Sequence, residues 1–132
     1  MAAVYYKHAL AAQSYGQANL LLKDALEKDV VIDVALINAE TARKKGIRDG
    51  DEILIEARDG HSIRHRARLS QTIHPRVIGV CNGLINDSEF TRAAKGKKFN
   101  WLLSDEWEYV DKIVQAIEAD RAVRVRRAGV RT

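Results

Sequence analysis

A chain of 132 residues has room for one domain at roughly 100–200 residues per domain, and its 46% hydrophobic content supplies a core that needs no metal or disulfide staple. The single cysteine, Cys81, excludes an internal disulfide, and the longest run free of Asp, Glu, Lys and Arg, His8 to Leu22, holds two glutamines, an asparagine and a serine, which excludes a bilayer-spanning helix. The net charge of +4 comes from 22 basic against 18 acidic residues, a mild surplus that does not by itself specify a partner.

In chain order, Tyr5 to Leu26 has helical character in its second half, where Leu20, Leu21, Ala25 and Leu26 fall near helical spacing. Val30 to Ile37 is rich in β-branched residues and predicts a buried strand running into Asn38. Asn38 is a good N-cap, Ala39 to Lys45 allow two helical turns, and Gly46 stands where a left-handed C-terminal residue is wanted. Ile47-Arg48-Asp49-Gly50-Asp51 predicts a tight reversal. Strands over Glu52 to Arg58 and His61 to Leu69 then flank Asp59-Gly60, the strongest hairpin signal in the chain, read as a two-residue loop. In the second of them Ile63, His65, Ala67 and Leu69 alternate with Arg64, Arg66 and Arg68, so one face is buried and the other strongly basic. Pro75 introduces a further strand at Arg76 to Val80. Ser104 or Asp105 can cap a helix whose apolar side carries Trp107, Val110, Ile113, Val114 and Ile117, and a last strand fits Arg121 to Arg127. Five or six strands with short helices between them predict a single small β-barrel or α+β domain over residues 1–132.

Several chemistries find no support. Neither a G-x-G-x-x-G nor a Walker-type phosphate loop is present, and no serine sits in a G-x-S-x-G elbow. His61 and His65 would stand about 13 Å apart on a strand, too far to share a metal ion, and read as a half-buried or surface pair. Asp49-Gly50-Asp51 lacks the later ligands of a calcium loop. Cys81 closes an apolar run, which makes it a packing residue rather than a nucleophile. Basic residues gather at Arg92, Lys95, Lys97 and Lys98 and again at Arg121, Arg124, Arg126, Arg127 and Arg131. They lack interleaved aromatics or a reading helix, which argues against nucleic acid. With neither a signal sequence nor a cysteine framework evident, a cytoplasmic protein is expected, or a periplasmic one if an exported partner carries it.

One stretch reaches further. Leu36-Ile37-Asn38-Ala39-Glu40-Thr41-Ala42-Arg43-Lys44-Lys45-Gly46-Ile47-Arg48-Asp49-Gly50-Asp51 resembles the hydrophobic-I-N-x-E-x-A-x-x-x-G-I-x-x-G-D signature of the molybdopterin-dinucleotide-binding domain, the C-terminal domain of the dimethyl sulfoxide reductase family of molybdenum and tungsten oxidoreductases. The strand pair around Asp59-Gly60, Pro75 and Val77-Ile78-Gly79-Val80 follow in the family's order, and Asn100-Trp101-Leu102-Leu103-Ser104-Asp105-Glu106 resembles its N-W-L-x-x-D element. The likeness covers most of Val31 to Glu106. Ala39 stands where the family usually has proline, and the family joins its N-W-L element to the last strand by a loop, against the helical spacing of Trp107 to Ile117.

The resemblance implies a six-stranded double-psi β-barrel, mainly β, with short peripheral helices. It also implies a ligand, bis(molybdopterin guanine dinucleotide) with molybdenum or tungsten, shared with a larger catalytic chain that supplies the metal-ligating and iron–sulfur domains. This chain would hold and bury the dinucleotides without being catalytic alone and without touching a membrane. Asn100 is the leading contact, because an amide carries a donor and an acceptor on one short plane. Asn82 and Gly83 follow a strand, where glycine lets the backbone approach closely. Lys7, His8, Gln13, Ser14 and Gln17 fall in the polar loop that the family lays against pterins and phosphates. Asn38 completes the set, although an N-cap explains it without any ligand and is the favoured reading. The competing reading is a double-psi barrel that serves as a protein-interaction module and binds no cofactor.

Overall fold

A computed structural model describes residues 1–7, 34–81, 99–104, 106–114 and 121–129. The strands are β1 (Ala2–Tyr6), β2 (Val34–Asn38), β3 (Glu52–Ala57), β4 (Ser62–Ser70), β5 (Val77–Cys81) and β6 (Arg121–Arg127), with one short helix, α1 (Ala39–Lys44), and 3-10 turns at Phe99–Leu102 and Trp107–Tyr109. The strands close into a barrel in the order β1-β5-β2-β4-β3-β6. β1 runs parallel to β5 and β2 parallel to β4, while the remaining four pairs are antiparallel. This closed, mixed, six-stranded barrel is the mainly-β architecture that the family resemblance implies.

Strict alternation builds the interior. Ile53, Ile55 and Ala57 of β3, Ile63, His65 and Ala67 of β4, and Val123 and Val125 of β6 all point inward, joined by Ile37, Ile78 and Val80. Their neighbours Arg64, Arg66, Arg68 and Arg124 face outward, as period-two patterning requires. Gly79 is placed by crowding on the outer side: a Cβ there would stand 3.2 Å from Ile73 and 3.5 Å from both Leu36 and Tyr6. None of the described helices is long and apolar enough to cross a membrane.

Local chemistry sets the connections. Asn38 Oδ1 accepts from the N–H groups of Glu40 at 3.0 Å and Thr41 at 3.3 Å, and Gly46, at φ 66°, ends the helical turn. Gly50, at φ 79°, makes the reversal into β3. The β3–β4 hairpin differs from the expected two-residue loop. Ala57 N–H donates to His61 O at 2.8 Å and Gly60 N–H to Ala57 O at 3.1 Å, so Arg58, Asp59 and Gly60 all belong to the loop and Gly60 takes the left-handed position at φ 94°. The physical reason is that glycine adopts the positive angle without steric cost and aspartate only at some cost, and a three-residue loop asks it of one residue where a two-residue loop asks it of two.

The helix expected from Trp107 onward does not form over residues 106–114. A 3-10 turn at Trp107–Tyr109 gives way to extended backbone at Val110, and Asp111 Oδ1 then accepts from Ile113 N–H at 2.8 Å and Val114 N–H at 3.0 Å. This is the i+2, i+3 acceptance with which Asn38 caps α1, so Trp107 to Val110 lie ahead of a cap at Asp111 and not within a helix begun at Ser104 or Asp105. Ile113 is 92% exposed, so the helical spacing marked no buried face.

Candidate functional site

The parallel register sets Tyr6 beside Cys81, so the chain leaves β1 and β5 at adjacent points on one end of the barrel. That juxtaposition brings together the starting points of two expected ligand-facing segments. Lys7 follows β1 directly and is exposed there. His8, Gln13, Ser14 and Gln17 after it, and Asn82 and Gly83 after Cys81, lie outside the described residues. Cys81 is fully buried, in keeping with a packing role. The Tyr6 hydroxyl is pushed up to about 12, chiefly by burial and then by the neighbouring Cys81 thiol, against the opposing pull of Arg68. It is therefore a neutral phenol at ordinary pH.

Asn100 reaches the same end by a different route. In the turn Phe99–Leu102, Phe99 and Leu102 are buried while Asn100 and Trp101 are exposed. The Phe99 ring lies 5.4 Å from that of Tyr5 on β1, and the turn packs against β4. Leu103 N–H donates to Asn100 O at 3.1 Å, which uses the backbone carbonyl and leaves the amide side chain facing out. Two apolar side chains thus fix the turn, and an amide carrying donors and an acceptor is presented from it.

A buried arginine fastens this element to the barrel. Arg121, at the start of β6, is 5% exposed; its Nε donates to Leu102 O at 3.0 Å and its terminal nitrogen pairs with Asp59 Oδ2 in the β3–β4 hairpin. The guanidinium also lies 4.2 Å from the centroid of the Tyr109 ring. Burial works to raise the Asp59 carboxyl, but the His61 N–H and the Arg121 guanidinium outweigh it and hold Asp59 below the ordinary carboxylate range. Arg121 therefore joins three pieces remote in sequence: hairpin, asparagine turn and the segment after it. Sequence reasoning placed Arg121 at the start of the last strand and in a basic cluster, with no buried role. The signal that could have marked it was an arginine on an inward strand position with an aspartate in the facing hairpin.

Asn38 does not join this group. Ile37 faces Ile78, so Asn38 lies level with the start of β5, about 13 Å along the strand from Cys81. Its Oδ1 caps α1 and its Nδ2 donates to Ile73 O at 3.0 Å, so both polar atoms of this buried side chain are engaged in structure. The cap is the role the structure shows. Asn38→Ala is expected to lower stability by about 1–2 kcal/mol, read as a fall in denaturation midpoint, because it removes the cap and also orphans the Ile73 carbonyl. The histidine pair divides as well: His65 is buried inside the barrel, whereas His61 precedes β4 in the hairpin and is exposed. Among the described residues no group of His, Cys, Asp and Glu is arranged to hold a metal ion.

Comparison with known proteins adds three findings. The profile of the family described as "Molydopterin dinucleotide binding domain" matches residues 11–118. No curated protein matches the sequence. Among solved structures, the chain is similar to acetylene hydratase from Pelobacter acetylenicus, with a TM-score of 0.75 and 17% identity over 97% of this chain. That match spans only 18% of the hydratase chain, so the likeness is of one barrel to a fraction of a much larger protein.

Proposed function

The chain belongs to the molydopterin dinucleotide binding domain family, and from that premise we propose that it holds and buries the bis(molybdopterin guanine dinucleotide) cofactor of a molybdenum or tungsten oxidoreductase, together with a larger catalytic chain or portion. The observation that carries this reading is the presentation of Asn100 from a turn anchored by Phe99, on the barrel end where β1 and β5 both finish. The donor set there suits such a ligand. Asn100 offers an amide that matches the fixed donor and acceptor edge of a pterin or guanine, and Lys7 offers an ammonium for phosphate oxygens. When bound, the cofactor supplies the redox chemistry; the residues of this chain bind it, orient it and exclude water from it. Asn82, Gly83, His8, Gln13, Ser14 and Gln17 belong to the same proposal, since the segments that contain them start from that end.

Length supports a division of labour. A chain covering 18% of a large relative by fold is sufficient for a cofactor-closing barrel, and the metal ligands and substrate funnel would belong to the remainder. The test is to purify the full chain assembled with its candidate catalytic chain and assay metal, pterin and guanine nucleotide. The expected result is stoichiometric cofactor that Asn100→Ala loses about tenfold faster on dilution, with unchanged thermal stability of this chain, as for removal of a charge-assisted or bidentate ligand contact. Absence of pterin, or cofactor retention indifferent to Asn100→Ala, would overturn the proposal in favour of an interaction module without cofactor.

A further inference from the structure

The far end of the barrel carries a concave surface. A groove of about 800 Å³ opens between α1, the reversal before β3, and the ends of β4 and β6, lined by Arg43, Arg48, Arg127 and Gln71 together with the apolar Ala39 and Leu69. It lies at the Asn38 end, away from Lys7 and Asn100.

Charge in this groove is unevenly committed. Glu40 is held by Lys44 at 2.7 Å, and Asp49 Oδ1 accepts from Leu69 N–H at 2.8 Å. Arg127 stands 3.3 Å from Asp51, which also accepts from Arg48 N–H. The guanidinium groups of Arg43 and Arg48 are exposed, and among the described residues neither has a carboxylate at ion-pair distance. Each of these acids already has a partner within the fold, and two arginine forks face solvent.

The backbone decides which anion fits. Sites for phosphate commonly offer a nest of unpaired N–H groups. Here Lys45 N–H donates to Thr41 O, Gly46 N–H to Arg43 O, Ile47 N–H to Ala42 O and Gly50 N–H to Ala67 O, so these donors are spent within the fold. Recognition falls to separated, planar guanidinium forks over a partly apolar floor, an arrangement matched by carboxylates spaced along a peptide with apolar side chains between them. We infer that this groove docks an acidic peptide segment of a partner protein, with Arg43 and Arg48 as its charge anchors. The inference does not depend on the cofactor reading, because none of its residues belongs to that end of the barrel.

The test titrates the full chain against a fluorescein-labelled peptide of alternating glutamate and leucine and follows anisotropy. Arg43→Glu with Arg48→Glu is expected to weaken binding by about tenfold or more, and the neutral pair Arg43→Gln with Arg48→Gln to weaken it in the same direction without a charge reversal in the fold. Arg58→Glu, a single charge reversal made at the opposite end, is expected to shift binding by less than about twofold. Equal losses from Arg58→Glu and the groove variants, or no measurable peptide binding, would overturn the inference. So would tighter binding of a single-stranded oligonucleotide that the groove variants abolish.

Discussion

Arg121→Met is expected to destabilise the chain by about 2 kcal/mol, because it removes the buried partner of a part-buried ion pair and leaves a backbone carbonyl without its donor. Asp59 would lose the guanidinium that helps hold its carboxyl down, and the Leu102 carbonyl would lose its Nε donor. Arg121→Lys should recover little, since a single ammonium cannot serve Asp59 and Leu102 from the two sides that a planar fork reaches. The double variant Arg121→Met with Asp59→Leu should be more stable than Arg121→Met alone, because it removes the orphaned charge as well. Urea midpoints across the four proteins check this. A pH series gives an independent reading. Asp59 is depressed in the folded state, so its contribution is fully present above the unfolded carboxylate value of about 3.9 and is lost as pH falls through the lower folded value. The gap between wild type and Arg121→Met should therefore narrow below about pH 4. A gap that stays constant into strong acid would assign the loss to the Leu102 hydrogen bond and to packing on Tyr109, and not to the ion pair.

The parts legible in the sequence are those whose cause is local. Asn38, Gly46, Gly50 and Gly60 each act through backbone within a few residues, and the cap, both positive-φ turns and the hairpin stand where those residues are. Alternation at Ile63 to Leu69 and at Arg121 to Arg127 likewise located β4 and β6, because a period of two is written residue by residue. What remained hidden depends on closure. β1 is five residues with only Ala3 buried, too short and too exposed for a pattern, and it is a strand because β5 and β6 flank it. Without the family resemblance nothing local marked it. Arg121 and Asp59 are 62 positions apart and meet only after β3 pairs with β6. For the same reason the candidate site was legible as residue types and not as a place: the sequence already favoured a cap for Asn38 and a ligand contact for Asn100, but only the closed barrel sets the two at opposite ends.

Phe99→Ala is expected to cost about 3–5 kcal/mol, the range for deleting a buried aromatic side chain. The ring is 1% exposed and is the contact through which the asparagine turn reaches Tyr5 on β1. Phe99→Leu keeps most of the apolar volume and should cost less than Phe99→Ala, although it gives up the ring contact with Tyr5. The pair separates anchoring from ligand reading when set beside Asn100→Ala. Asn100 is exposed, so its removal should leave the denaturation midpoint in place and act on cofactor retention alone. Loss of Phe99 should act on both, because the turn that aims the amide loses its seat in the barrel. If Phe99→Ala lowers stability but the proposed assembly keeps its cofactor as wild type does, the turn is structural cover and Asn100 is not a ligand contact. If both quantities fall together for Phe99→Ala and only retention falls for Asn100→Ala, the buried ring is a positioning residue whose role is to hold one amide at the barrel end.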